Sequence, residues 1–274
     1  MIDGRLYVGG EFTAAGTTTA SGVAMWDPAT STWSALGNAP VYDDAVLGLA
    51  VLADRYLVVS GEYNAFRRAG RDLVRGLNGM VLFDAQAQVD PEDPTSGYYV
   101  LPGVKRSSGS GTVRALQVLG GDLYVGGSFD TAGVLDLTSP QESGFTAQNL
   151  TVWHFGGDGS WSAPGGADQP VQAFTTLDGG RLVLAGGFSV AGTTRAPGVA
   201  TYDPATATWG TLGSGLGEGL SGVRRGEALS HGPATGLWVG GTFNTAGGVP
   251  SCSIALWSAT AGGAGPDDAQ AHTP

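Results

Sequence analysis

Near-copies of one short segment recur along the chain and constrain its fold more than any other feature. The segment spans residues 123–129, with the sequence LYVGGSF, and Asp-Thr-Ala-Gly follows it. Close copies begin at residues 6, 182 and 237, and a divergent copy, LVVSGEY, begins at residue 57. Each copy is an apolar run that ends in glycine, which is typical of a β-strand that meets a turn or a close packing contact.

The spacing of the copies predicts a repeat architecture. The second glycine of each copy recurs after 51, 66, 60 and 54 residues, and the five positions are Gly10, Gly61, Gly127, Gly187 and Gly241. Strand-rich repeats of this size build propellers, in which each sheet is covered by its neighbours. The predicted fold class is therefore all-β, a β-propeller of about five four-stranded blades.

The residues between the copies predict four strands in each repeat. We name them A, B, C and D in chain order, and B is the strand with the double glycine. Strand B is expected near the crowded centre, where a side chain in place of glycine would collide with the next blade. Strand C ends in an aromatic residue, interpreted as a packing wedge between blades, at Trp26, Phe83, Trp153, Tyr202 and Trp257.

The repeat also predicts the domain boundaries. The propeller is expected over residues 1–260, in units of about 1–40, 41–104, 105–166, 167–214 and 215–260, with a flexible tail over 261–274. Because the given sequence begins with a strand B and ends with a strand C, the first and last blades are expected to be incomplete. The sequence is interpreted as part of a larger propeller or repeat array, or as one completed by strands from outside it.

Composition excludes several classes of function. The net charge is −11 and the only lysine is Lys105, which disfavours a nucleic-acid or anionic-membrane partner. No apolar run approaches the roughly 20 residues of a membrane helix, so direct membrane insertion is not expected. The single cysteine, Cys252, excludes an internal disulfide and is expected to be either a buried thiol or bonded to something outside this chain.

The assembled unit resembles the kelch-type propeller repeats of cell-surface proteins. Its pattern is L-x-V-G-G-x-F-x-x-A-G, then I/V-A-x-W/Y-D-P, then W-x-x-L-G, up to about Trp257. It is similar in particular to the Rax2-like cortical polarity marker family and to related bacterial and algal surface propellers. The resemblance implies an extracellular or envelope setting, usually within a long, glycosylated polypeptide, and it implies little about function.

Catalytic constellations are not found in the sequence. Galactose oxidase also has kelch-like blades, but its copper chemistry needs a tyrosine coupled to a cysteine and two histidine ligands, whereas this chain has only Cys252 and His154, His231 and His272. Adjacent carboxylates such as Asp43 and Asp44 are interpreted as solvated loop residues. No cofactor, metal site or catalytic residue is predicted, and the chain is predicted not to be an enzyme.

Two features remain as candidate sites. An insertion in the second repeat carries Arg67, Arg68, Arg71 and Arg75, and it is expected either to form a short amphipathic helix that binds a carboxylate or sulfate partner or to be solvated. Asn149 begins the only N-glycosylation sequon, Asn-Leu-Thr, and is a candidate glycan site.

The leading hypothesis is a non-enzymatic extracellular or cell-surface structural or adhesion module. It would bind protein or glycan partners through its blade loops, including other domains of a longer chain or neighbouring subunits. The alternatives are a carbohydrate-active enzyme, either an oxidase or a glycosidase-like propeller, and an intracellular kelch-like adaptor.

Overall fold

A computed structural model describes the chain except for residues 38–40, 43, 64, 69–70, 76–77, 91–92, 94–95, 135–143, 178, 218–224, 233–235, 259–269 and 273–274. The described residues form strands and turns, and none of them forms a helix that is long and apolar enough to cross a membrane. The predicted all-β class of four-stranded antiparallel blades is confirmed.

The strands follow the repeat. The first repeat has β1 (Leu6–Gly9), β2 (Ala14–Ala15), β3 (Thr18–Thr19), β4 (Val23–Asp27) and β5 (Thr32–Ala35). The second has β6 (Val41–Tyr42), β7 (Val46–Leu52), β8 (Tyr56–Gly61), β9 (Ala65–Arg68), β10 (Arg71–Arg75), β11 (Met80–Asp84) and β12 (Tyr98–Val100). The third has β13 (Gly103–Arg106), β14 (Gly109–Ser110), β15 (Thr112–Leu119), β16 (Asp122–Ser128), β17 (Thr131–Val134), β18 (Phe145–Thr146), β19 (Leu150–Trp153) and β20 (Trp161–Ser162).

The last two repeats continue the series. The fourth has β21 (Val171–Leu177), β22 (Arg181–Gly186), β23 (Val190–Ala191), β24 (Thr194–Arg195), β25 (Val199–Asp203) and β26 (Thr208–Thr211). The fifth has β27 (Arg225–Gly232), β28 (Gly236–Thr242), β29 (Thr245–Ala246), β30 (Val249–Pro250), β31 (Ile254–Ser258) and β32 (Gln270–His272).

The chain divides into two compact units, residues 1–123 with 129–146 and residues 124–128 with 147–274. In the first unit, the first repeat forms a three-stranded sheet, β1-β4-β5, and the second forms the four-stranded sheet β7-β8-β11-β12. In the second unit, the fourth and fifth repeats form the sheets β21-β22-β25-β26 and β27-β28-β31-β32. Strands A, B, C and D are therefore neighbours in chain order.

The structure agrees with the expectation for the first sheet and differs from the expectation for the last one. The first sheet lacks a strand A among the described residues, as expected. The last sheet has its strand D, because β32 pairs with β31 through Trp257 and Ala271, within the segment predicted to be a flexible tail. Pairing with β31 satisfies a ladder edge that would otherwise face water, which is the physical reason for the difference.

Strand A, rather than strand B, lies where neighbouring sheets converge. In the first unit β7 lies against β15, and in the second unit β21 lies against β27. Strand B was expected near this crowded region; it also contacts the neighbouring strand A there, in β8 with β15 and β22 with β27, but strand A makes the closer approach. The first glycine of the B pair still faces the next sheet, because a Cβ on Gly9 would lie 2.9 Å from Val46 and one on Gly126 would lie 2.8 Å from Val171.

A second layer of short hairpins connects strands B and C in every repeat. These hairpins are β2–β3, β9–β10, β17–β18, β23–β24 and β29–β30. The linker that enters a repeat pairs with the first strand of that hairpin in four of the repeats: β6 with β9, β13 with β17, Ala167 with Ala191 and Leu216 with Ala246. Each linker is thus held in an extended conformation just before its strand A.

The strand C aromatics form cross-strand pairs within their own sheets. Four of the five are direct partners of a strand D aromatic, and the ring centroids are 5.1 Å apart for Trp26 and Trp33, 4.8 Å for Phe83 and Tyr98, 6.0 Å for Trp153 and Trp161, and 4.9 Å for Tyr202 and Trp209. The fifth, Trp257, pairs with Ala271. Phe83 and Trp257 also pack into the cores between successive sheets. The aromatics therefore join strands C and D as well as neighbouring sheets.

Candidate functional site

A groove opens in the first unit where the first repeat meets the linker to the second. It has a volume of about 510 Å³, within the range of ligand sites. We call it the first-repeat groove; it is lined by Gly10, Glu11, Phe12, Thr13, Ser21, Gly22, Tyr42, Asp44 and Ala45.

The double-glycine motif builds the floor of this groove. The Gly10 N–H donates to the Gly22 carbonyl at 3.0 Å, and the Gly22 N–H donates to the Phe12 carbonyl at 2.9 Å. Gly22 has a φ of +74°, and a Cβ there would lie 3.0 Å from the Tyr42 ring. Glycine is needed at this position because it allows both the left-handed backbone and the close approach of Tyr42.

The walls combine carboxylates, hydroxyls and aromatic rings. Glu11 and Asp44 are exposed, and Asp44 Oδ1 accepts a hydrogen bond from the Ala45 N–H at 2.8 Å. Tyr42 is buried, and burial raises the pKa of its phenol, so the group stays protonated near neutral pH. Phe12 is only half-buried, whereas the equivalent Phe188 is fully buried. The groove is acidic and partly apolar.

Glu62 is the equivalent of Glu11 in the second repeat, and it has a basic partner. Glu62 follows Gly61 as Glu11 follows Gly10, and its Oε1 accepts a hydrogen bond from Arg114 Nη2 at 3.0 Å. Arg114 follows Val113 in strand A of the third repeat. The residue at that position in the second repeat is Leu47, which follows Val46 and is 40% exposed. No basic residue lines the first-repeat groove among the described residues. Its two carboxylates therefore face the groove without a cationic partner there.

A second cavity lies in the second unit and does not form a site. It has a volume of about 20 Å³ between the fourth and fifth sheets and is lined by apolar residues such as Leu212, Leu216 and Trp257. A space of this size holds about one water molecule, and an apolar lining offers that water few hydrogen-bond partners. It is a gap in core packing.

The arginine insertion is not a helix. Arg67 and Arg68 lie on β9, and Arg71 and Arg75 lie on β10, in a hairpin that pairs Arg71 with Arg68. The reason is that every repeat has a hairpin at this point, and its first strand pairs with the incoming linker. The arginine side chains lie outside the described residues, so their binding of an acidic partner stays a prediction.

Asn149 has a structural role. Its φ is +61°, and the residues at the same place before strand C, Gly22, Gly79, Gly198 and Ser253, also have positive φ. Its Nδ2 donates to the Ala167 carbonyl at 2.9 Å, and its own carbonyl accepts from the Gly127 N–H at 3.1 Å. A glycan replaces one of the two hydrogens of Nδ2, so glycosylation of Asn149 stays a prediction.

The backbone also corrects one assignment within the repeat. In every repeat one glycine of strand B donates its N–H to the carbonyl of the residue just before strand C. In the fourth repeat this glycine is Gly186, whose N–H donates to Gly198 at 3.1 Å. In the other repeats it is Gly10, Gly61, Gly127 and Gly241. Gly187 is one residue beyond the equivalent position. The sequence Ala185-Gly186-Gly187 contains a glycine pair that is shifted by one residue relative to the other repeats.

Other chemically suggestive groups lie outside these cavities. His154 Nε2 is 2.8 Å from Ser162 Oγ, but both residues belong to the half-exposed hairpin of β19 and β20, and neither lines the groove. Cys252 is exposed, so the expectation of a buried thiol is wrong; it lies in the turn before β31. Among the described residues, no three histidine, cysteine or carboxylate side chains are close enough to hold a metal ion.

Comparison with known proteins gives distant structural likenesses. No protein-family model matches the chain, and no curated protein sequence matches it. The chain is similar in structure to the extracellular domain of a protein described as a hybrid two-component system, BT4673 from B. thetaiotaomicron, with 9% identity and a TM-score of 0.49. That alignment covers 92% of this chain and 25% of the other, so this chain spans about a quarter of its length.

Two further solved structures are similar to part of the chain. U3-55K shares 12% identity with a TM-score of 0.42, over 86% of this chain and 70% of its own. The β-propeller domain of Myceliophteria thermophila Cps50 (Swd1) shares 11% identity with a TM-score of 0.36, over 88% of this chain and 78% of its own.

Proposed function

We propose that this chain is a non-enzymatic binding module whose first-repeat groove receives a basic side chain of a protein partner. The observation that carries this proposal is the comparison of two equivalent carboxylates. Glu62 binds the guanidinium of Arg114 at 3.0 Å, whereas Glu11 faces a groove that contains Asp44 and no basic residue among the described ones. An incoming arginine would restore at Glu11 the pairing that Arg114 provides at Glu62.

The remaining walls of the groove suit an arginine side chain. Phe12 is half-buried at the groove and offers an apolar or cation–π surface, and Thr13 and Ser21 offer hydroxyls. Arginine is favoured over lysine because its planar guanidinium can bond to a carboxylate through two N–H groups. The net charge of −11 favours approach of a cationic segment.

An extracellular or cell-surface location belongs to the same proposal. It is supported by the resemblance of the repeat to kelch-type surface propellers and by the sequon that begins at Asn149. Surface biotinylation of intact cells that express the native gene tests this location. Labelling only after the cells are broken would favour the intracellular adaptor.

The binding experiment uses a blocked tripeptide, acetyl-Gly-Arg-Gly-amide, and its citrulline counterpart, which has the same shape without the charge. Titration of the intact chain followed by NMR should give saturable shifts with the arginine peptide and at least a tenfold weaker response with citrulline. The double variant Glu11→Gln, Asp44→Asn should lose the response. Exposed Asp54, in the turn before β8, provides the matched control as Asp54→Asn.

Equal response to both peptides, or no effect of the double variant, would contradict the proposal. Saturable binding of a neutral oligosaccharide in the groove would instead favour glycan recognition. Turnover of polysaccharides by oxidation or hydrolysis, lost in the double variant, would support the enzyme alternative.

A further inference from the structure

The hairpin of the second repeat ends in two arginines that the repeat architecture does not require. Arg68, at the end of β9, is the direct partner of Arg71, at the start of β10, and residues 69–70 connect them. Uncharged residues flank the corresponding two-residue connection in the first, fourth and fifth repeats: Ala15 with Thr18, Ala191 with Thr194 and Ala246 with Val249. The same hairpin therefore forms in three other repeats without charge at its end.

Two arginines in direct register are unfavourable within a hairpin. Direct partners on neighbouring strands have Cβ atoms about 4.5–5.5 Å apart, and like charges placed there are destabilising. The next register position differs, because Arg67 is the partner of Asp72 and opposite charges meet there. Carboxylates brought to Arg68 and Arg71 from outside the hairpin would replace the repulsion by charged hydrogen bonds. The end of the hairpin is thus suited to an acidic partner.

The chain itself contains an acidic site of the required kind. Glu11 and Asp44 line the first-repeat groove, and no basic residue lines it among the described ones. We propose that Arg68 and Arg71 of one copy of this chain enter the first-repeat groove of a second copy. This inference rests on the proposed function of the groove, and it names the partner that supplies the basic side chain.

The strand register directs the hairpin away from the groove of its own copy. Phe66 on β9 is the partner of Tyr42 on β6, and Tyr42 is part of the groove wall. Because β9 is antiparallel to β6, Arg68 lies two residues, or about 7 Å, from that pair in the direction of the start of β6. Asp44 follows the end of β6, on the other side of the pair. A second copy can therefore bring together what the register separates within one copy.

Overall charge opposes this association, so the contact must be local. Each copy has a net charge of −11, and like-charged molecules repel at a distance. At about 0.15 M salt the Debye length is about 8 Å, which screens that repulsion while charged groups in contact are screened less. Association at this salt concentration should consequently depend on both the hairpin and the groove.

The first test is sedimentation of the intact chain at about 0.15 M salt, where self-association should rise with concentration. The hairpin variant Arg68→Gln, Arg71→Gln and the groove variant Glu11→Gln, Asp44→Asn should each weaken self-association about tenfold or more. Arg195→Gln should leave it unchanged; Arg195 is exposed on β24, in the corresponding hairpin of the fourth repeat. The hairpin variant should melt no earlier than the natural chain, because it removes a like-charge pair.

An equal mixture of the hairpin and groove variants identifies the contact itself. The hairpin variant keeps an intact groove, and the groove variant keeps both arginines, so one contact can form between them. The mixture should give a 1:1 complex that neither variant forms alone. A mixture without this complex would overturn the inference, as would unchanged self-association of either variant.

The arginine tripeptide separates failure of this inference from failure of the proposed function. If the tripeptide binds the groove while the natural chain stays monomeric, a different protein supplies the arginine; the inference then fails and the groove proposal stands. If the tripeptide does not bind and the chain stays monomeric, both fail. If both hold, excess tripeptide should dissociate the assembled copies, and its citrulline counterpart should not.

Discussion

Gly186 and Gly187 are adjacent, but the structure gives them different constraints. A Cβ on Gly186 would lie 2.3 Å from the Pro170 carbonyl oxygen, a backbone atom held by the β21–β22 ladder. A Cβ on Gly187 would meet nothing closer than Gln169 at 4.0 Å. The constraint on the B strand therefore depends on the distance to strand A and not on membership of a glycine pair.

We expect Gly186→Ala to lower the free energy of unfolding by about 2 kcal/mol or more, since the backbone must shift to accept the methyl group. Gly187→Ala should change it by less than about 0.5 kcal/mol, as is usual away from packed features. Urea denaturation followed by tryptophan fluorescence measures both. Equal losses would show that the two glycines were assigned to the wrong structural positions.

Asp84 is buried at the end of β11 and is held by Arg55, whose Nε donates to Asp84 Oδ1 at 2.9 Å. Hydrogen bonds from Arg55 lower the pKa of the Asp84 carboxyl below its ordinary value. A carboxyl with a lowered pKa contributes stability above its unfolded pKa of about 3.9, and this contribution is lost as pH falls through the folded value.

Asp84→Asn should therefore destabilise the chain by about 1–2 kcal/mol at pH 7, the lower part of the range for charged hydrogen bonds, because Arg55 is partly solvated. The variant should also lose less stability than the natural chain when the pH falls from about 5 to about 3. Urea midpoints at several pH values provide the measurement. Arg55→Gln should flatten the same decline, and an unaltered decline in both variants would contradict the assignment.

At the scale of elements, the cross-strand aromatic pairs of strands C and D differ in their polar contacts. Trp209 Nε1 donates to the Pro164 carbonyl at 2.9 Å, whereas Trp161 Nε1 is buried and has no hydrogen-bond partner among the described residues. The equivalent residues thus provide similar packing, but only one provides a hydrogen bond.

Trp209→Phe should consequently cost about 1 kcal/mol more than Trp161→Phe, the net value of a typical hydrogen bond. Both lose similar ring volume, so the difference isolates the Nε1 contact. Thermal unfolding monitored by circular dichroism, with melting temperatures converted through the measured enthalpy, tests it. An equal cost would indicate that packing alone decides these positions.

Long strands could be predicted from the sequence because their apolar runs are bounded by glycine and Asp-Pro turns. The aromatic predicted near the end of strand C, Phe83, lies on β11 (Met80–Asp84). The Asp-Pro of the repeat pattern forms a turn, in which Asp27 Oδ1 accepts from the Ala29 N–H. The two-residue strands β2 and β3 were missed because so short a segment has no periodicity, although their Ala-Gly turn was visible in every clear copy of the repeat.

The candidate site was not predictable from local pattern. Glu11 and Asp44 are 33 residues apart, and they line one groove because the linker lies against Gly22. That the groove lacks a basic side chain among the described residues is seen only when repeats are compared: Leu47 stands in the second repeat where Arg114 stands in the third. Such features require the register of strands, which the sequence alone does not provide.

At the scale of the whole molecule, the net charge of −11 attracts a cationic peptide to the entire surface, whereas Glu11 and Asp44 attract it to the groove. Exposed carboxylates attract any cationic peptide at low salt, and that attraction is screened as the Debye length falls from about 30 Å at 0.01 M to about 8 Å at 0.15 M. A guanidinium in contact with Glu11 and Asp44 is screened less, because its partners lie within hydrogen-bond distance.

We therefore expect the arginine tripeptide to bind the natural chain and the double variant Glu11→Gln, Asp44→Asn with different salt dependences. The residual affinity of the double variant should disappear between about 0.02 M and about 0.15 M salt, whereas the natural chain should keep a saturable component at about 0.15 M. NMR titrations at several salt concentrations measure both. Coincident curves would mean that the overall charge of the molecule, and not the groove, attracts the peptide.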